Sequence, residues 1–317
     1  MQNHESHQNH QHHNHHRKHR VRNAILWIVG IVLAAAVIFG GVMFFRVNRA
    51  TSNVYSFAHV KTERSDSRTS KGKPVAYLLL GTDTGALGRT YKGRTDTIIV
   101  TVINPKTKTT TMVSIPRDTK ISLDGATIKI NAAYEYGNAK GSIKAVEKLL
   151  DINIDGYMLI NMGGLEKLVN AVGGVDVTSP LTFTYSGKSF TKGQRYHLNG
   201  SDALKFSRMR YDDPDGDYGR QRRQQLVIGS VITKLKDNPA TVTSGSFLNA
   251  VSDNVRTDVS LSSIKNLASK YRSAGGNVKH DQMKGNGKMI NGQSYEVQPQ
   301  SEITRVHKVI EDALGNK

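Results

Sequence analysis

The chain of 317 residues has no cysteine. That absence excludes disulfides, thiolate zinc sites and a cysteine nucleophile, so any metal must be held by oxygen or imidazole. Acidic residues are scarce beside basic ones, 26 Asp and Glu against 44 Lys and Arg, giving a formal net charge of +18. There is no Gly-x-Ser-x-Gly nucleophile elbow, which removes a hydrolase of that type. Gly187-Lys188-Ser189 ends like a phosphate-binding P-loop, but Thr182 stands where that motif needs glycine and no helix start follows. Asp213, Asp215 and Asp217 alternate like calcium ligands, yet Gly216 stands too early for the EF-hand glycine and Gln224 stands where the motif needs glutamate. No internal repeat is present.

One long apolar run dominates what remains, from Ala24 to Phe45, directly after Arg17, Lys18, Arg20 and Arg22. It exceeds the roughly 20 residues that cross a bilayer, and its alanines lie mid-run rather than at a cleavage site, so it reads as an uncleaved signal-anchor helix. The basic cluster before it places the N-terminus in the cytoplasm and everything after Arg46 outside the cell membrane, single-pass. Residues 1–23, rich in Gln, Asn and His, read as a disordered cytoplasmic tail. Residues 46–73 are polar and read as a stalk, leaving 74–317 as the working domain. Most of the positive charge falls outside, where a basic field attracts phosphate-rich wall polymers and anionic head groups. Nucleic acid is not expected there, and the tail offers no helix-turn-helix.

Within 74–317, Val75–Gly81, Thr97–Ile103, Thr110–Ile115, Gly156–Asn161 and Val175–Val177 carry strand signals, with Asn104-Pro105-Lys106 turning the second into the third as a hairpin. Helical spacing appears over Ser142–Leu150, Leu165–Val172, Gln221–Leu235 and Leu261–Tyr271, and again after Pro299 with Ser301 as the N-cap. Strands alternating with helices predict a layered α/β/α sandwich around a central mixed sheet.

Two acids stand near strand boundaries, Asp83 after the first strand and Asp96 at the start of the second. Carboxylates so placed suit a hard cation such as Mg²⁺ together with substrate phosphate oxygens. The arginines add to this. Arg117 follows Pro116 at a strand end, Arg208 and Arg210 alternate along a segment read as extended, and Arg220 and Arg223 flank a helix start with Gln224 beside them. Arginine forks match phosphate oxygens bidentately, so a converging set suits a diphosphate.

These residues belong to a series of ordered segments, Leu78–Thr84, Gly93–Val100, Val113–Thr119, Lys129–Tyr134, Asn161–Val177, Leu198–Arg210 and Gly216–Gln225, of which the fourth and fifth carry none of them. Together they closely resemble the LytR-CpsA-Psr family. The resemblance implies a phosphotransferase of the Gram-positive envelope. Such an enzyme takes a glycopolymer, wall teichoic acid or capsular polysaccharide, from an undecaprenyl diphosphate carrier and attaches it to peptidoglycan through a phosphodiester. By position it implies Asp83 and Asp96 as ligands of Mg²⁺ or Mn²⁺. Arg117, Arg208, Arg210, Arg220, Arg223 and Gln224 match the diphosphate-binding set, with Arg117 and Arg220 also catalytic. Asp217 matches an acid that orients Arg220 or accepts the acceptor hydroxyl's proton. A prenyl tail calls for an apolar cleft, for which Ile143–Leu150 and Leu165–Val172 are candidate walls. The competing functions are a non-catalytic envelope-binding or transcription-attenuating protein and a lipid-diphosphate pyrophosphatase.

Overall fold

The computed structural model describes residues 63–82 and 93–316. The tail, the apolar run Ala24–Phe45 and Asp83 lie outside the described residues, and no described helix is long and apolar enough to cross a membrane. In chain order the elements are α1 (Glu63–Ser70), β1 (Val75–Thr82), β2 (Thr95–Asn104), β3 (Thr109–Ser114), β4 (Lys120–Leu123), β5 (Ala126–Lys129) and α2 (Ala132–Leu150). There follow β6 (Gly156–Asn161), α3 (Met162–Ala171), β7 (Val175–Thr178), β8 (Phe183–Tyr185), β9 (Lys188–Phe190), β10 (Arg195–Leu198), α4 (Gly200–Arg208) and α5 (Asp217–Asp237). The chain closes with α6 (Gly245–Asn254), β11 (Val255–Thr257), α7 (Leu261–Lys270), β12 (Val278–Gln282), β13 (Asn286–Ile290), β14 (Gln293–Val297) and α8 (Gln300–Leu314).

Six strands form the central sheet in the order β11-β6-β1-β2-β3-β12. It is mixed: β1 runs parallel to β6 and antiparallel to β2, while β3 runs antiparallel to β2 and parallel to β12. The β2–β3 hairpin turns where expected, because Asn104 Oδ1 accepts from the backbone N–H of Lys106 at 3.0 Å and of Thr107 at 3.2 Å. Alternate residues of β1 and β2 serve different cores. Ala76, Leu78, Leu80, Ile98 and Val100 pack with Ile143 and Val146 of α2 and with Val306 and Ile310 of α8. Val75 and Tyr77 pack instead with Val259 and Tyr271, toward α7. Burial on both sides explains why these strands read as nearly continuous apolar runs.

Several boundaries differ from the sequence expectation. The helix expected over Ser142–Leu150 begins at Ala132, interrupted at Asn138, whose φ is 53°. Its first half lacks an apolar stripe, so periodicity marked only the second. The last helix is capped by Pro299 rather than Ser301 and starts at Gln300. The stalk expected over 46–73 ends in structure. Within it, α1 packs on α7 and β1, with Arg64 Nε 2.8 Å and Arg68 Nε 3.5 Å from the buried Asp155 carboxylate. Asp66 accepts from the hydroxyls of Ser260, Ser262 and Ser263 at the start of α7. Charge and hydroxyl contacts hold this helix, so its composition resembles a linker.

A second buried carboxylate lies nearby. Asp258, 2% exposed, accepts from the Tyr157 backbone N–H at 2.7 Å, and no cation pairs with it among the described residues. Burial pushes its pKa up to about 6. The fold therefore prefers the neutral acid. Relative to an unfolded value of about 3.9, the stabilisation from this group is complete below about pH 4 and is lost as pH rises through about 6. Between pH 5 and 7.5 the wild type should lose about 1–1.5 kcal/mol that Asp258→Asn does not lose. Urea unfolding of both proteins at the two pH values measures the difference, and parallel pH profiles would contradict it.

Candidate diphosphate site

Three separate parts of the chain meet at one end of β2. Asp96 is the second residue of that strand, Arg117 follows Pro116 just after β3, and Asp217 and Arg220 form the first turn of α5. An Arg117 Nη1 hydrogen donates to Asp96 Oδ1. Arg220 Nη2 lies 2.6 Å from Asp217 Oδ1 and donates to the Asp96 backbone carbonyl at 3.4 Å. Arg210 Nε approaches the same Asp217 oxygen at 3.7 Å, while Gln221 Nε2 donates to Asp217 Oδ2 at 3.0 Å. Asp217 Oδ2 thus accepts from Gln221, while the buried Oδ1 faces Arg220 and Arg210 as a charge partner without a hydrogen bond among the described residues, an arrangement that suits orienting the two arginines.

The cluster holds the guanidinium groups of Arg117, Arg210 and Arg220, with Lys129 beyond them, against the carboxylates of Asp96, Asp118 and Asp217, and this excess of one cation has physical consequences. Arg220 is 9% exposed. Burial lowers its pKa, Asp217 opposes that, and Arg117 and Arg210 add repulsion. Burial also works against Arg117, but Asp96, Asp217 and Asp118 together oppose it and its pKa is raised. Arg220 further stands in the first turn of α5, where the helix dipole disfavours a cation and favours an anion. No side chain caps that helix end. Among the described residues, Arg117 Nε, Arg220 Nε and Gln221 Oε1 are buried without a hydrogen bond, and so is Thr95 Oγ1, one residue from Asp96. Buried polar atoms left unpaired are costly; the donors Arg117 Nε and Arg220 Nε suit an anionic ligand with several oxygens, whereas the acceptors Gln221 Oε1 and Asp217 Oδ1 call for a hydroxyl or other donor.

The expected residues divide. Arg117, Arg210, Arg220, Asp96 and Asp217 are brought together as described. Gln224 borders them, its Oε1 accepting from Thr97 Oγ1 at 3.0 Å. Arg208 is not on an extended segment with Arg210: it ends α4, which begins because Asn199 accepts from the Asp202 N–H, and Met209 is the residue that leaves the helix. Among the described residues Arg208 makes no ion pair or hydrogen bond.

Arg223 is engaged within the fold as a structural strut. Its side chain is fully buried, pairs with Asp213, donates to the backbone carbonyls of Phe206 (2.9 Å) and Met209, and lies over the Phe183 ring. Arg220, expected just before the helix, lies inside α5, since the helix starts at Asp217. Gly219 makes room for the pair: a Cβ there would lie 1.8 Å from Asp213 Oδ2.

Sequence reading missed Asp118, whose Oδ2 is 3.8 Å from Arg117 Nε and whose Oδ1 is 2.8 Å from Lys129 Nζ. It also missed Gln221. Asp118 could have been found as the acid next to Arg117, whereas Gln221 is marked only by its position one helical turn after Asp217. The proposed lipid walls fare differently. Ile143, Val146 and Leu150 are core residues, while Leu165, Leu168 and Val172 are half-buried against the second core around Phe183, Phe190 and Phe206.

For a metal, Asp96 supplies a hard oxygen donor, and Thr82 pairs with Thr95 across β1 and β2. The residues that precede Asp83 and Asp96 are thus neighbours in the sheet. No group of three or more His, Asp or Glu residues is placed to hold a metal among the described residues, which do not include Asp83.

Residues 42–311 match the model of the LytR_cpsA_psr family. A polyisoprenyl-teichoic acid–peptidoglycan teichoic acid transferase, TagU, from Enterococcus faecalis is 41% identical over 297 residues, which are 93% of this chain and 97% of that protein. A Streptococcus agalactiae crystal structure superposes with a TM-score of 0.70 at 38% identity, over 78% of this chain and 90% of that one. The structure of TagT bound to LIIa-WTA does so with a TM-score of 0.63 at 27% identity, over 77% and 91%.

Proposed function

The chain belongs to the LytR_cpsA_psr family, and from that membership we propose that it transfers a glycopolymer from an undecaprenyl diphosphate carrier to a muramic acid hydroxyl of peptidoglycan, forming a phosphodiester. The reading draws on the activity named for the Enterococcus faecalis relative. The observation that carries it is the gathering of three guanidinium groups, the buried Arg220 with the half-buried Arg117 and Arg210, with unpaired donors on Arg117 and Arg220 at the end of β2. In this reading residues 24–45 anchor the chain in the cell membrane with the N-terminus in the cytoplasm, and the domain works at the outer face.

The hydroxyl oxygen attacks the sugar-linked phosphorus, the bond to the bridging oxygen breaks, undecaprenyl phosphate leaves, and the hydroxyl proton passes to water. Phosphoryl transfer asks the protein mainly for positioning and charge stabilisation. Arg220 and Arg117 neutralise the phosphate oxygens, and Asp217, steadied by Gln221, keeps Arg220 and Arg210 oriented. Asp96 holds Arg117 in the same way. Asp83 and Asp96 would hold Mg²⁺ or Mn²⁺, which supplies further positive charge for the phosphate oxygens.

The test is transfer of lipid-linked glycopolymer to peptidoglycan by the full chain in detergent micelles. Chelation of divalent metal should lower the rate about 10²-fold, in the range of a lost charge-stabilising group, and added Mg²⁺ should restore it. Unchanged transfer after chelation would remove the metal from this reading. Binding without turnover would favour a non-catalytic role, and release of phosphate without glycan attachment a pyrophosphatase.

A further inference from the structure

Three large hydrophobic side chains are exposed among the described residues, Tyr136, Tyr211 and Met289, and Tyr211 is the most open at 91%. It lies between α4 and α5, immediately after Arg210. Its hydroxyl makes no hydrogen bond among the described residues, so neither packing nor polar contact accounts for an aromatic ring there. One contact does involve the ring: the Arg210 guanidinium carbon is 5.8 Å from its centroid. Arg210 in turn lies 3.7 Å from Asp217, which holds Arg220 at 2.6 Å. A solvent-facing aromatic surface is therefore joined by consecutive contacts to the buried Arg220 at the start of α5.

A sugar bonded to a phosphoryl group presents two kinds of surface side by side, charged oxygens and a face of polarised C–H bonds. Guanidinium groups suit the first. The electron-rich face of an aromatic ring suits the second, by the same quadrupole that governs aromatic packing. Nucleic-acid sites pair stacking rings with backbone-binding cations in this manner.

We propose that Tyr211 is a sugar-stacking platform, which takes the pyranose ring next to the phosphate held by Arg210 and Arg220 and so helps to present the correct phosphorus. This inference rests on the reading of the arginine cluster as a diphosphate site. The ring could serve the first sugar of the lipid-linked donor or the acceptor sugar of peptidoglycan, and the two sources separate by titration.

The full chain in detergent micelles, as wild type, Tyr211→Phe and Tyr211→Ala, would be titrated calorimetrically with three probes. They are inorganic pyrophosphate, N-acetylglucosamine linked through diphosphate to a short prenol, and a muropeptide disaccharide. Pyrophosphate should bind all three proteins alike. A sugar probe should bind about tenfold more weakly to Tyr211→Ala and near wild-type strength to Tyr211→Phe, as loss of a stacked ring predicts. Loss on the prenol-linked probe identifies the donor sugar, and loss on the disaccharide the acceptor. Equal affinity of wild type and Tyr211→Ala for both sugar probes would overturn the proposal. So would a matching loss for pyrophosphate, which would mean that the ring only steadies Arg210, or a loss in Tyr211→Phe, which would mean a hydroxyl contact. A wild type that binds no pyrophosphate would instead overturn the diphosphate reading.

Discussion

Replacing Arg220 with alanine is expected to lower glycopolymer transfer about 10³-fold, the lower end of what a well-placed arginine contributes in phosphoryl transfer. The expectation comes from an imbalance. Arg220 is buried beside Arg117 and Arg210, and its pKa is lowered by burial with those two cations adding to the fall. It stands where a helix N-terminus favours negative charge. Such an arrangement serves the folded protein poorly until an anion arrives. Arg220→Ala should therefore lose activity while its melting temperature moves by no more than about 3 °C, roughly the shift from 1 kcal/mol in a domain of this size. Arg220→Lys keeps the charge but not the fork, and should recover only a small part of the rate. Transfer of labelled lipid-linked polymer to peptidoglycan, with a thermal melt on the same preparations, decides the matter. Wild-type transfer by Arg220→Ala would eliminate the cluster as the active site.

Arg223→Ala should behave in the opposite sense, with a large loss of stability. Arg223 is 0% exposed and its partner Asp213 has a side chain 5% exposed. Removing the guanidinium leaves a buried carboxylate without its cation and two backbone carbonyls, of Phe206 and Met209, without their donor. Breaking a buried pair from one side costs about 3–5 kcal/mol. For a domain of this size that corresponds to a fall of about 10 °C in melting temperature, read by circular dichroism. The loss is local in origin, because the strut ties α5 to the end of α4 and to the loop that carries Arg210. A protein melting at the wild-type temperature would return Arg223 to the list of candidate ligands.

How much of this was legible in the sequence varies with the range of the cause. The β2–β3 hairpin, the helix over Leu261–Lys270 and the strand β1 follow from turn chemistry, helical spacing and an apolar run, all encoded within a few residues. The helix α1 was not legible, since its contacts are ion pairs to Asp155 and hydroxyl bonds to the start of α7, far along the chain. Arg208 was misplaced because a three-residue pattern, Arg-Met-Arg, resembles strand alternation, while the helix that ends there is set by Asn199 nine residues earlier. The candidate site was legible as an inventory of arginines and acids and as a family resemblance.

By itself, the sequence determined that thiol chemistry is absent, that the chain is strongly basic, that strands alternate with helices, and that arginines suited to phosphate are present in excess. Only the tertiary structure decided which of those arginines are available. Arg220 and Arg223 are three residues apart on one helix and chemically identical, yet one faces Arg117, Arg210 and unpaired polar atoms, and the other is consumed by Asp213 and two backbone carbonyls. A guanidinium becomes a ligand or a strut according to the charges that distant segments bring against it in a desolvated interior, and no local pattern carries that information.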